Sequence, residues 1–259
     1  MHTIFDDTRY SRMTLYRIRS AAGLFLYAWL SATGIVTDAC AEAIRFSNKA
    51  LRLGINSSAG RITELTDLAA GHNFVSAGTG GLWLLELDAT PTMQLSPSDA
   101  HAFRMEKLRQ GDPGYRLIWS RFDLADAPDL QVEVVVRLDR KRTESRWSIS
   151  ILEPGKRSLT RIRFPRLLNL AEMENERLVL PFWVGLMAEN PRKTFSARPE
   201  GVRREYDYPG LSSLQCMSYY REGGAGLYAS TDDTAGYRKS FAVFSEPGAG
   251  LNLEIVHLP

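Results

Sequence analysis

The acids, bases and rings with the means to do chemistry crowd into one stretch, Tyr208 to Phe241, which reads YPGLSSLQCMSYYREGGAGLYASTDDTAGYRKSF. Asp232 and Asp233 are adjacent in it. On a strand, Leu227, Ala229, Thr231 and Asp233 point to one face while Tyr228, Ser230 and Asp232 point to the other. The two aspartates therefore cannot make the facing carboxyls, about 5 to 10 Å apart across a sugar, that glycoside hydrolysis uses. Asp233 and Lys239 form a different pair, separated by the turn residues Thr234, Ala235 and Gly236. A carboxylate accepts and an ammonium donates, the combination that grips sugar hydroxyls. The same two residues also suit a turn-stabilising aspartate and a solvated lysine.

The rings offer a second kind of chemistry. Trp183 follows Phe182 and precedes Gly185, and Tyr206 and Tyr208 stand just before Pro209 and Gly210, positions from which a ring can stack on the apolar face of a pyranose. Gln215 alternates with Leu214 and Cys216 and can share an open surface with Tyr208, or sit satisfied on a sheet edge. Trp83, Trp119 and Trp147, on alternating apolar stretches, read as core. His72, His101 and His257 are scattered, none with a second histidine or a carboxylate at ligand spacing, so no metal or cofactor is expected. Cys216 reads as a small buried hydrophobe rather than a nucleophile. Arg161 and Arg163 alternate with Ile162 and Phe164 as a solvated face, with contact to acidic glycans as the other use.

The elements that must position these residues are strands. Residues 50–55 and 61–65 flank the turn cluster Asn56 to Gly60, a hairpin signal. Apolar alternation continues at 82–87, 103–108, 115–122, 130–138 and 145–151, and no segment after the leader has helical periodicity. The expected fold is all-β, a large antiparallel β-sandwich in one domain, residues 44–259. Residues 1–43 read as a signal peptide: Arg17 and Arg19 precede an apolar run through Val36, and Ala41, Glu42 and Ala43 supply a small-residue cleavage site. Cleavage after Ala43 would place the domain outside the cytoplasm, secreted or periplasmic, and without a membrane anchor; Met1 or Met13 is the start. Charges within the leader balance, so the mature chain keeps the +2 of the whole, too little for nucleic acid. One mature cysteine excludes an internal disulfide.

Four pieces then carry a resemblance: WSISI at 147–151, IRFPRL at 162–167, LPFWVG at 180–185, and the Tyr208 stretch with Gly226, Leu227, Tyr228, Asp233 and Lys239. In this order they resemble the N-terminal galactose-mutarotase-like supersandwich domain of secreted bacterial glycoside hydrolases, where it precedes a catalytic (β/α)8 barrel. Leu152 and Glu153 stand where such domains often carry asparagine. The resemblance implies a non-catalytic, carbohydrate-associated domain that walls the sugar site of a barrel absent from this chain, which would supply the acid and nucleophile. Asp233, Lys239, Trp183, Tyr208 and Gln215 are then the expected carbohydrate-binding residues, with poly- or oligosaccharide and the barrel as partners. Two alternatives stand beside it. A stand-alone mutarotase or epimerase needs a histidine facing a carboxylate, with His101, His257 and Glu254 as the raw material. An independent carbohydrate-binding module needs rings aligned on one surface.

Overall fold

A computed structural model describes residues 9–14, 43–76, 81–88, 91–195, 201–245 and 250–259. Its strands run in chain order as β1 (Arg9–Thr14), β2 (Ala43–Ser47), β3 (Leu51–Asn56), β4 (Ile62–Asp67), β5 (His72–Asn73), β6 (Leu84–Leu87), β7 (Met93–Leu95), β8 (Ala102–Lys107), β9 (Gly114–Ser120) and β10 (Gln131–Leu138). They continue as β11 (Glu144–Leu152), β12 (Leu159–Leu167), β13 (Glu176–Leu180), β14 (Leu186–Ala188), β15 (Val202–Tyr208), β16 (Cys216–Arg221), β17 (Gly226–Thr231), β18 (Lys239–Ser245) and β19 (Leu251–His257). Among the described residues the helices are short, α1 (Pro191–Phe195) and a single 3-10 turn at Pro97–Asp99. The all-β, antiparallel expectation holds.

Three sheets form. A nine-stranded sheet has the order β14-β13-β16-β17-β1-β11-β10-β9-β8, a six-stranded sheet the order β15-β18-β19-β12-β6-β7, and a four-stranded sheet the order β2-β3-β4-β5. Cross-strand partners in an antiparallel ladder share a face, so the register fixes which side chains face inward. Val136 pairs with Trp147, Val134 with Ile149 and with Leu117, and Val132 with Trp119. All of these are buried, as are Phe241, Val243, Leu253 and Ile255 on the facing side of the six-stranded sheet, and they belong to one continuous core. The three tryptophans expected inside are wholly buried there; Trp83 and Trp119 meet edge to face at 5.6 Å. The other side of the nine-stranded sheet carries Arg116, Glu133, Arg137, Glu144, Arg146, Ser148 and Ser230, the polar half of the same alternation.

The Asn56 hairpin forms where the turn residues place it. The Asn56 side-chain oxygen accepts from the amides of Ser58 and Ala59, and Gly60 closes the turn at φ 69°. A Cβ at Gly60 would sit 2.3 Å from the Trp119 ring, so conformation and space both demand glycine.

Two arginines behave differently from the expectation of a solvated face. Arg163 keeps 15% of its side chain exposed and, with Arg166 and Arg203, surrounds the fully buried carboxylate of Glu254; Arg163 and Arg161 also meet Glu86. Central strands β18 and β19 are buried on both faces, and a carboxylate placed there survives only when neutralised and hydrogen-bonded. The segment Arg9–Thr14, inside the stretch assigned above to the leader, pairs as β1 between β11 and β17. The apolar run of that leader, residues 21–36, lies outside the described residues.

Candidate functional site

β15 ends at Tyr208, and the following chain turns through Pro209 and Gly210 before β16 begins at Cys216. That connection is laced to a second loop, residues 181–185. The Trp183 amide donates to the Leu211 carbonyl at 2.6 Å, the Ser213 amide to the Pro181 carbonyl at 2.9 Å, and Phe182 bridges Ser212. A third loop, 232–238, enters from β17. Asp233 organises it by accepting from the amides of Ala235, Gly236 and Tyr237 at 2.9, 3.1 and 2.7 Å. The three loops converge at one end of the two large sheets.

Lys239 joins them. It starts β18 directly opposite Tyr208 in the register, with its side chain only 2% exposed. Its ammonium donates to Asp233 Oδ2 at 2.5 Å and to Gln215 Oε1 at 2.9 Å, and lies 5.2 Å from the centre of the Tyr208 ring. Gln215 in turn accepts from the Thr231 hydroxyl and donates through Nε2 to the Asp233 carbonyl. The lysine and Tyr208 belong to the six-stranded sheet, and Gln215 and Asp233 sit in the loops next to β16 and β17 of the nine-stranded one, so this network ties the sheets together across the core's end.

Capacity decides what these residues do. A carboxylate offers about four acceptor sites, and Asp233 uses them on three amides and one ammonium. Burial alone would raise the Asp233 carboxyl; the bond and charge of Lys239, with the Tyr237 and Ala235 amides, outweigh it and hold the group below the ordinary carboxylate range. Asp233 and Lys239 therefore shape the site from beneath, and the lysine is not solvated.

Above this brace opens a cavity of about 400 Å³. It is lined by Tyr208, Gln215 and Cys216, by Tyr228 and Ser230 from the polar face of β17, and by Asp232 just after that strand. Glu144, at the start of β11, also lines it and pairs with Arg142 at 3.5 Å. Cys216, expected as a buried hydrophobe, is half-buried in this polar lining because the register puts it opposite Ser230, on the polar side of the sheet. Leu214 adds an apolar residue to the lining, and Leu211, Val184 and Trp183 stand exposed on the two laced loops, Trp183 at 69%.

Four of the five residues singled out from sequence, Asp233, Lys239, Tyr208 and Gln215, thus meet in one cluster, and Trp183 stands on the loop bonded to theirs. Glu144 escaped sequence reasoning because β1 and the sheet order bring it to this end from far away in the chain. Tyr228 and Ser230 carried a usable signal in the alternation of β17. None of the described histidines lines the cavity, although His257 stands opposite Lys239 in the register. His257 is buried with Nε2 against the Phe164 carbonyl, and His101 meets Asp123 at the surface. Among the described residues no group of three or more His, Cys, Asp or Glu is placed to hold a metal.

No family model and no curated protein matches the chain. Solved structures do. The α-N-acetylgalactosaminidase NagBb of Bifidobacterium bifidum in complex with GalNAc superposes with a TM-score of 0.57 at 13% identity, over 83% of this chain and 33% of that one. A quadruple mutant of the same enzyme gives 0.58 at 15% identity over the same shares. The chain shares a fold with this glycoside hydrolase and spans about a third of its length.

Proposed function

We propose that this chain is a non-catalytic, carbohydrate-associated β-sandwich of the galactose-mutarotase-like kind, an accessory domain of a glycoside hydrolase. It walls the sugar site of a (β/α)8 catalytic domain carried outside this sequence, and its leader directs it out of the cytoplasm. The observation that carries the reading is the polar cavity, with an exposed indole on a loop bonded to one that lines it. Tyr208, Tyr228, Ser230 and Asp232 offer hydroxyls and a carboxylate to sugar hydroxyls, and Trp183 offers a flat apolar face to the pyranose. Lys239 and Asp233 hold that geometry from outside the lining, and Gln215 both braces them and faces the cavity. Partial coverage of a glycoside hydrolase supports the same assignment.

The function is tested by titrating N-acetylgalactosamine and galacto-oligosaccharides into the full chain and its Trp183→Ala and Tyr208→Ala variants by calorimetry. Millimolar or tighter binding that both variants weaken at least fivefold is the expected result. Binding that neither variant changes, or none to any sugar, would refute it.

A further inference from the structure

The small net charge of the chain conceals a local excess. Residues 137–146, which run from the end of β10 through its turn into β11, hold five cations, Arg137, Arg140, Lys141, Arg142 and Arg146, against Asp139 and Glu144. That exceeds the +2 of the whole, so the rest of the chain is left slightly acidic. Arg137 stands directly opposite Arg146 in the register. Cross-strand partners share a face, and like charges set opposite each other oppose pairing, so this pair weakens the ladder it sits in.

The cations are also held in place. The Asn48 side-chain amide donates to the carbonyls of Asp139 and Arg142 at 2.7 and 3.1 Å, and the Asp139 carboxylate accepts from the amides of Lys141 and Arg142 at 2.8 and 2.9 Å, which fixes the turn. Arg137 and Arg140 donate to the carbonyls of Gln110 and Gly111 in the turn between β8 and β9, at 3.2 and 2.9 Å. A carbonyl orients a guanidinium without cancelling its charge. Arg140, Lys141 and Arg142 stand exposed on this scaffold, where an anion meets them with little ordering left to do.

The basic face runs into the cavity. Glu144 lines the cavity and stands two residues before Arg146 on β11, on the same side of the sheet and about 7 Å along the strand. Its carboxylate lies 3.5 Å from Arg142 and 4.0 Å from Arg146, whose side chains remain 61% and 47% exposed and keep donors for a further partner.

We propose that this face is an anion subsite continuous with the cavity, and that the saccharide it serves carries carboxylate or sulfate groups on the units that reach beyond Glu144. Arg146 and Arg137 present planar guanidinium groups to those oxyanions, and Lys141 and Arg142 flank them from the turn. Assigning a saccharide rather than another polyanion rests on the reading of the cavity as a sugar site.

The test compares galactotetraose, tetragalacturonate and a sulfated galactotetraose on the full chain by calorimetry. At roughly 0.05 M salt at least one acidic probe should bind about tenfold tighter than the neutral one, and the advantage should shrink to under about threefold at roughly 0.5 M, as screening of exposed charges requires. Whichever acidic probe gains identifies the anion. Arg137 and Lys141 lie outside the cavity lining. In the double variant Arg137→Gln, Lys141→Gln the advantage should fall at least fivefold, with galactotetraose bound as in the parent and Tm unchanged or higher because the opposed pair is relieved. Lys141→Glu, a single reversal at an exposed side chain, should lower the advantage at least threefold. An acidic advantage that is absent at low salt, survives high salt, or withstands both variants overturns the proposal. A single-stranded oligonucleotide of equal charge, or phosphatidylglycerol vesicles, bound as tightly as the acidic saccharide would name a general polyanion surface and overturn the saccharide assignment. The two readings fail separately. Neutral sugar that binds with no acidic gain leaves the cavity reading standing and refutes this one, whereas acidic saccharide held through Lys141, with galactotetraose unbound and Tyr208→Ala without effect, refutes the cavity reading alone.

Discussion

Lys239 is the residue on which the site's shape turns. Its ammonium is buried against one carboxylate, one amide oxygen and one ring, so Lys239→Met leaves Asp233 a half-buried charge without its counter-ion. The expected cost is about 3 kcal/mol by chemical denaturation, and adding Asp233→Asn should cost less than the two single changes together. Asp233 also sets an acid limit. Its folded pKa lies below the ordinary 3.8, so its stabilising contribution is complete above that value and lost as pH falls through the lower folded value. Unfolding curves between pH 5 and 2 should therefore fall less steeply for Asp233→Asn than for the parent. Trp183→Ala, by contrast, should change stability by under about 0.5 kcal/mol, since the ring is exposed, while weakening sugar binding. Sequence alone left Asp233 and Lys239 divided between sugar contact and a turn with a solvated lysine. The turn was legible from Asp233, Thr234, Ala235 and Gly236; the burial of Lys239 was not, because it comes from β15 and β19 closing on β18.

At the scale of elements, alternation made most of the strands readable. The hairpins around Asn56 and between β10 and β11 appear where turn residues interrupt apolar periodicity. The sheet order was not readable, because period two says which face a residue takes and not which strand lies beside it. That is why Glu144 and the intrusion of Arg9–Thr14 had no local signal, and why the pairing of Arg163 and Arg166 with Glu254 replaced a solvated face. Close approach between β9 and β10 gives a sharp check. A Cβ on Gly114 would lie 2.1 Å from the Val136 carbonyl oxygen and 3.1 Å from the Arg137 Cα, both backbone. Gly114→Ala should lower stability by about 2 kcal/mol or more and quicken hydrogen exchange in β9 and β10, whereas Gly71→Ala, with no atom within 4 Å of the new Cβ, should leave exchange there unchanged.

For the whole molecule, two large sheets share one core and are tied at one end through Lys239, whose partner Gln215 lines a largely polar cavity. The fold is shared with about a third of a glycoside hydrolase, and the proposed role is to hold sugar rather than to break or isomerise it. One NMR titration reads both. The full chain, labelled at its tryptophan indole nitrogens, is mixed with N-acetylgalactosamine and a galacto-oligosaccharide while the sugars' anomeric signals are followed over time. The expected result is a saturable shift of the Trp183 indole resonance with the oligosaccharide intact and the anomers interconverting at the rate of buffer alone. Cleavage of the oligosaccharide, faster interconversion, or an unmoved Trp183 resonance would contradict it.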